Sequence, residues 1–535
     1  MSALTHTLVV NNIKLSVDAS VKEAFSVAKQ RLKRIGITAL DMYVYRRSVD
    51  ARHKDDVKFV YSIAARCTSV PKNSVTDITP LTDSNPVITH GDQPLSAPPV
   101  VVGTGPCGLF AALLLAEHGY APIVIERGGS IKERSEAVQR FSNLGILDTE
   151  SNIQFGAGGA GTFSDGKLVT RINDPLGGYV LDRFVNFGAS DDIKYIAKPH
   201  IGTDVLTGIV DAMLNRITEL GGTVMYHTRL ESFTSKSGNV TTLNTTNGDI
   251  NAGAVILAIG HSARDTYEYL INRGIAIECK PFSVGMRIEH LTSDIDRALY
   301  GNFADHPALG HAEYNLSYDT KNRGVYTFCM CPGGEVVAAA SEEGSVVVNG
   351  MSRNARSGRN SNSAVVCSVF REDYGATPMK AIEFQRKIER TAYASAGSDY
   401  SAPIITVGDF LSDQLMHEPT RVTPTYMNSK GVKLASPDTY LPEFVTKQMK
   451  CAIASFGKKI DGFDAPDAVL TGAETRTSAP LRILRNNDTR LAIGFNNLYP
   501  AGEGAGYAGG ITSAAIDGLK CAMALMSVYK PYSDV

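Results

Sequence analysis

Gly103, Gly105 and Gly108 stand in the run Val-Val-Val-Gly-Thr-Gly-Pro-Cys-Gly, a G-x-G-x-x-G that follows an apolar strand and opens an apolar helix. Each position has a physical task. Gly103 permits a tight turn, Gly105 lets the backbone approach a pyrophosphate, and Gly108 allows close helix–strand packing. Pro106 and Cys107 fall in the first turn of that helix, where free N–H groups and the dipole favour an anion. A second apolar strand, Ile123–Ile125, ends in Glu126, placed to accept hydrogen bonds from ribose hydroxyls. The fingerprint alone is weak. With both strands, the helix and the acid around it, it points to an adenine dinucleotide.

Further residues have types suited to redox or acid–base work. Arg287 and Glu289 share one face of a strand-like run by period two, and His290 points the other way. An Arg beside a buried acid either binds a carboxylate substrate or makes a structural ion pair. Cys329 and Cys331, followed by Pro-Gly-Gly, put two thiols on one face of a strand. They are either a redox pair or two small core residues. No second Cys or His pair follows at ligand spacing, so no metal is expected. His261, a loop residue with Arg264 three positions on, either helps proton transfer or is structural. Arg476 either reaches the active site or caps a loop.

These residues need elements to position them. With 535 residues the chain is too long for one core. Residues 1–75 read as a small α/β module, with strands Thr7 to Val10, Ile13 to Val17, Met42 to Arg46 and Val57 to Ala64, and a helix from Val21 to Ile35. Residues 76–99, rich in Ser, Thr, Asp and Pro, read as a linker. From 100 to 280 strands and helices alternate as in a doubly wound parallel sheet. Residues 281–464 carry β-rich runs and read as a mainly antiparallel substrate domain. Residues 465–535 return to glycine-rich loops and close with a helix, Ile511 to Met526. The expected fold class is α/β: a Rossmann-type doubly wound sheet, an antiparallel β domain and a small N-terminal α/β module.

Several stretches resemble the FAD-dependent dehydrogenase family within the glutathione-reductase-like Rossmann flavoproteins. They are Glu126-Arg127, the glycine-rich loop from Gly156 to Lys167, the run from Val255 to Arg264, and Leu498-Tyr-Pro-Ala-Gly-Glu-Gly-Ala-Gly-Tyr-Ala-Gly-Gly-Ile511. Runs at 281–290, 328–334, 349–352 and 474–480 resemble one narrow branch of these proteins, as does Arg46 to Arg52. The resemblance implies FAD as cofactor. It places Arg127, Gly158, Gly159, Thr162, Ser164, Asp165, Leu230, Ala258, Gly260, Gly502, Glu503, Gly509, Gly510 and Ile511 beside it. Glu503 stands where many relatives have Asp. The C-x-C at 329–331 departs from the C-x4-C or C-x2-C of disulfide-reductase flavoenzymes.

The resemblance implies an oxidoreductase that passes a hydride through flavin N5, to or from a small-molecule substrate. No second G-x-G-x-x-G appears, so NAD(P)H, if it is the reductant, binds transiently. Residues 1–72 hold 13 Lys and Arg against 6 Asp and Glu. That surplus leaves two readings: a hold on nucleic acid such as tRNA, or a solvated basic face that docks on the rest of the chain. A flavin-binding protein without turnover is the third functional reading. Eight scattered cysteines, the lack of a signal-like start and the lack of a 20-residue apolar run point to a reducing, cytoplasmic setting with no membrane partner.

Overall fold

Short valine- and isoleucine-rich runs, apolar on both faces, are what a parallel sheet requires when helices cover both sides. Pro99–Val102 is such a run, buried throughout. It lies at the centre of a five-stranded sheet, in the order Leu498–Pro500, Ala254–Leu257, Pro99–Val102, Ile123–Ile125 and Thr223–Met225. Every pairing in this sheet is parallel. The computed structural model describes residues 6–532 apart from 72, 82–83, 171, 321–322 and 416.

The helix Pro106–Glu117 is apolar on all sides and buries every residue from Cys107 to Ala116. It is enclosed by the sheet and by helices Thr203–Glu219 and Ile511–Met526. A Cβ at Gly518 would stand 2.0 Å from the Cys107 carbonyl oxygen, so glycine sets how closely the first and last of these helices approach.

The second sheet has seven strands, in the order Ser317–Thr320, Arg323–Cys331, Asn360–Val369, Phe282–Leu291, Val469–Glu474, Ala402–Thr406 and Val432–Leu434. Only the last pair is parallel. Val469–Glu474 pairs with Phe282–Leu291. The β domain therefore runs past the expected boundary at 464.

Two other expectations are corrected. The segment 100–280 does not simply alternate. Leu230–Lys236, Asn239–Thr245 and Gly248–Asn251 form an antiparallel meander. The expected linker begins too early, because Ile78–Pro80 pairs with His6–Ser16 in the N-terminal sheet.

That sheet also contains Ala39–Asp50 and Lys58–Cys67, and the helix Val21–Arg34 covers one face with Ala24, Ala28 and Leu32. The two expected strands before the helix are one strand with an irregularity between Val10 and Ile13. The module docks through its edge strand: the Arg47 amide donates to the Tyr195 carbonyl at 2.6 Å, and the Ala197 amide donates to the Arg47 carbonyl at 2.9 Å. Among the described residues no helix is long and apolar enough to cross a membrane.

Candidate functional site

The carboxyl ends of the parallel strands open on one cleft. Val102, Ile125, Ala258 and Ala501 all line it. Its volume of about 320 Å³ falls within the roughly 300–1,000 Å³ of small-molecule sites. Gly103, Gly105, Pro106 and Cys107 line one part, and Gly509, Gly510 and Ile511 line another. The two glycine segments, some 400 residues apart in sequence, thus share a wall.

Helices Pro106–Glu117 and Ile511–Met526 both begin at this cleft. Neither has a side-chain N-cap bond, and neither carries an acid in its first turn. Their orphan N–H groups and positive dipole ends are therefore left for a ligand. Steric space sorts the glycines. Gly103 has φ +98°, and a Cβ there would lie 2.4 Å from the Ala258 carbonyl oxygen. A Cβ at Gly108 would lie 1.9 Å from the Gly103 oxygen. Those two serve the protein's own packing, and Gly108 does not line the cleft. At Gly105 the nearest atom to an added Cβ is 3.8 Å away, and at Gly509 nothing lies within 4 Å. These positions keep space free for a bound group.

Glu126 is 5% exposed and already engaged. Oε2 accepts from the Thr104 amide (3.0 Å) and hydroxyl (2.6 Å), and Oε1 from the Gly128 and Gly156 amides (both 3.0 Å). The expected ribose acceptor thus also ties three glycine-rich segments together. Arg127 bonds Glu150 at 2.9 Å and Asp265 at 3.0 Å, with its guanidinium 3.9 Å from the Phe155 ring centroid.

Gly159, Ser164, Asp165, Leu230 and Gly260 line the cleft. Gly158 and Thr162 do not; they line a small neighbouring cavity, because the 3-10 turn Ala160–Phe163 folds them behind the wall. Asp165 is drawn into a buried cluster with Arg356, Ser352 and Lys167. Burial pushes its acid up, but Lys167 and Arg356 outweigh that and hold it below the usual range. Gly502 lies behind the wall, its amide donating to Asp517 at 2.8 Å.

The β domain supplies the opposite wall. Three of the six residues expected to do chemistry line the cleft: His261, Cys329 and Arg476. His261 Nδ1 lies 3.4 Å from Glu503 Oε1, and Glu503 lines the cleft too. His261 Nε2 is buried without a hydrogen-bond partner among the described residues. Arg476 bonds Glu389 Oε2 at 3.1 Å and Ser341 at 2.5 Å, and Arg264 forks onto the same Glu389 with two bonds of 2.8 Å.

Arg287, Glu289 and Cys331 lie outside the cleft lining. The strand Phe282–Leu291 is central in its sheet, so both faces are covered and Arg287 and Glu289 are wholly buried. The acid partner of Arg287 is Glu474, at 3.1 Å. Glu289 accepts from Thr425 and Asn360. Glu474 lines the cleft, and burial pushes its carboxyl up more than Arg287 pulls it down. Gln154, Arg229, Phe328, Asn349, Glu474 and Thr477 are lining residues that the sequence reading missed. Glu474 had a signal available, since it stands two residues before Arg476 in a strand-like run.

Residues 281–477 match the family model "FAD-dependent protein, C-terminal domain-like". A Clostridium beijerinckii protein named "Uncharacterized protein" is 44% identical over 527 residues, covering 96% of this chain and 97% of the relative. Among solved structures, L-amino acid deaminase from Proteus vulgaris is 13% identical with a TM-score of 0.34, over 84% of this chain and 97% of that one. NikD, an amino acid oxidase of nikkomycin biosynthesis, is 14% identical with a TM-score of 0.31, over 80% and 93%.

Proposed function

This chain belongs to one family with the Clostridium beijerinckii protein and contains an FAD-dependent protein C-terminal domain, and from that premise we propose that it is an FAD-dependent oxidoreductase of the glutathione-reductase-like Rossmann class acting on a small molecule. Its cofactor is FAD. The observation that carries the reading is the common wall made by two uncapped helix N-termini and the glycines before them.

Gly103 to Cys107 would hold the diphosphate, and Glu126 would fix the turn around it. Glu503, Gly509, Gly510 and Ile511 would hold the far end. When bound, FAD supplies two-electron hydride chemistry at N5. The chain's own part is positioning and proton handling. Glu474 keeps a carboxyl at the cleft wall that burial biases toward the protonated form. His261, with Nδ1 3.4 Å from Glu503, brings an imidazole to the same wall. Arg476, braced by Glu389 and Ser341, brings positive charge to the same wall.

Basic charge on the N-terminal module gives less support to an RNA-holding role. Arg47 stacks on Phe59 and Tyr195 and pairs with the main body, while Arg52 and Lys14 pair with Asp50.

The test is a visible spectrum of the purified protein, mass identification of its ligand, and anaerobic addition of NADH, NADPH and small organic acids. The expected result is bound FAD whose visible absorbance bleaches with one of these donors. A colourless protein that takes up no added FAD would overturn the reading.

A further inference from the structure

The strand Arg323–Cys331 is interrupted where its chemistry begins. Phe328 pairs with Ala364 and Cys331 with Asn362, so Cys329 and Met330 both stand opposite Ser363. This is a β-bulge, and bulges re-aim side chains beside functional sites. Cys329 takes φ +45°, a left-handed conformation that a non-glycine residue adopts only under local constraint. The constraint is visible. The Cys329 carbonyl accepts from Arg287 Nη1 at 3.1 Å and Nη2 at 3.4 Å, and the Cys331 thiol lies 3.3 Å from the same oxygen. Cys329 is thereby turned to the cleft and is partly exposed, while Cys331 stays fully buried behind it.

The bulge and the bond from the Cys331 thiol to the Cys329 carbonyl make the two thiols near neighbours. The Cys331 thiol lowers the pKa of the Cys329 thiol, and Arg287 and Lys167 lower it further; burial and Asp165 act the other way. The Cys329 thiol, with burial, raises that of Cys331. This is the asymmetry an attacking and a resolving thiol require: one partly exposed and the more readily ionised, the other protected and protonated.

We propose that Cys329 and Cys331 are a redox pair that exchanges with a small-molecule disulfide entering the cleft, Cys329 attacking and Cys331 resolving. The inference rests on the cleft being the oxidoreductase site. The Cys329 thiolate attacks one sulfur of R–S–S–R, forming Cys329–S–S–R and releasing R–S⁻. The Cys331 thiol then loses its proton and attacks Cys329 Sγ, forming the Cys329–Cys331 disulfide and releasing a second R–S⁻. The two released thiolates take up protons as thiols. The substrate gains two electrons and the pair loses two.

The experiment uses the reduced holoprotein on a Cys451→Ser background, because Cys451 is exposed and would react on its own. Oxidised glutathione is added without oxygen, remaining thiols are alkylated, and peptides are mapped by mass. The expected product is a Cys329–Cys331 disulfide with no lasting adduct. Cys331→Ser should instead accumulate a stable glutathione adduct on Cys329 and release one thiol rather than two. In Cys329→Ser, Cys331 should remain unmodified. The pH midpoint of Cys329 alkylation should rise in Cys331→Ser.

Finding both thiols alkylated in the parent after oxidised glutathione would overturn the proposal, and the parent alone decides this even if a variant misfolds. Modification of Cys331 in Cys329→Ser would also overturn it. Absence of FAD from the purified protein would sink the oxidoreductase reading instead, and the thiol map would still be readable.

Discussion

At the scale of single residues, the cleft wall depends on groups set behind it. Glu389 is fully buried on the helix Pro378–Ser395 and receives both Arg264 and Arg476. Burial pushes its carboxyl up, but the two guanidinium groups outweigh that and hold it far below the ordinary carboxylate range. Glu389→Gln removes the shared counter-charge of two buried guanidinium groups, leaving Arg264 with Glu342 alone, and removing one partner of a buried ion pair costs about 3–5 kcal/mol. The expected outcome at neutral pH is a lower urea midpoint and weaker FAD retention, since Arg476 loses its brace.

The pH dependence has a definite sign. A carboxyl depressed in the folded state contributes stability that is present above its unfolded value, about 4.3 for Glu, and lost as pH falls. The gap between parent and Glu389→Gln should therefore narrow below that pH, by about 1.4 kcal/mol per unit. A gap that stays constant from pH 6 to pH 3 would mean that folding does not shift the Glu389 carboxyl, and a gap that widens as pH falls would mean that the native carboxyl is neutral.

At the scale of elements, local signals were legible and contacts between distant elements were not. The closing helix Ile511–Met526 has the bounds expected from its apolar run, and Pro99–Val102, Pro106–Glu117 and Ile123–Ile125 follow the glycine spacing. The meander from Leu230 to Asn251 escaped notice because its strands are rich in Ser, Thr and Asn and short on alternating apolar residues. The Arg287–Glu474 pair joins strands 187 positions apart, and no periodicity reports such a contact. The bulge at Cys329 is likewise set by Arg287 from another strand.

Glycines of one loop should separate under mutation for the same reason. Gly105→Ala meets open space and an unstrained backbone, so stability should change by about 0.5 kcal/mol or less. The added methyl would occupy the place of the diphosphate, and FAD binding should weaken about tenfold, or about 1.4 kcal/mol. Gly103→Ala meets the Ala258 carbonyl and a left-handed φ, and should cost about 1–3 kcal/mol of stability. Titrating apoprotein with FAD, beside thermal melts of both variants, checks this. Equal FAD affinity for Gly105→Ala and the parent would remove the diphosphate from that turn.

At the scale of the whole molecule, the N-terminal module joins the assembly through one edge strand and a small apolar seam. Its sheet completes itself among His6–Ser16, Ala39–Asp50, Lys58–Cys67 and Ile78–Pro80, and its own apolar core surrounds Leu8, Ile13, Leu32 and Ile63. Among the described residues the polar ties outward include the two backbone bonds of Arg47 to Tyr195 and Ala197, the stacking of Arg47 on Tyr195, and His306 with Asp18 at 3.0 Å, and Phe303 and Leu309 pack against the module's core. Past Ile78–Pro80 the chain is exposed at Val87, and directly after it Ile88 packs on the main core, His90 Nδ1 lies 3.1 Å from the Tyr120 hydroxyl and the Gly91 amide donates to the Met526 carbonyl at 2.8 Å.

An elastase cut near Val87 should therefore leave two fragments that still elute together. Arg47→Pro removes the outward N–H on an edge strand, where proline is tolerated, and leaves the module's own ladder in place. One lost backbone bond contributes about 0.5–1.5 kcal/mol, and one lost exposed cation–π contact about 0.5–1 kcal/mol. The sum corresponds to roughly fivefold to sixtyfold weaker association. After the same cut, the Arg47→Pro fragments should separate on size exclusion at low micromolar concentration. Co-elution of the variant fragments would show that contacts other than the Arg47 edge hold the module, and His306 with Asp18 would be the next pair to break.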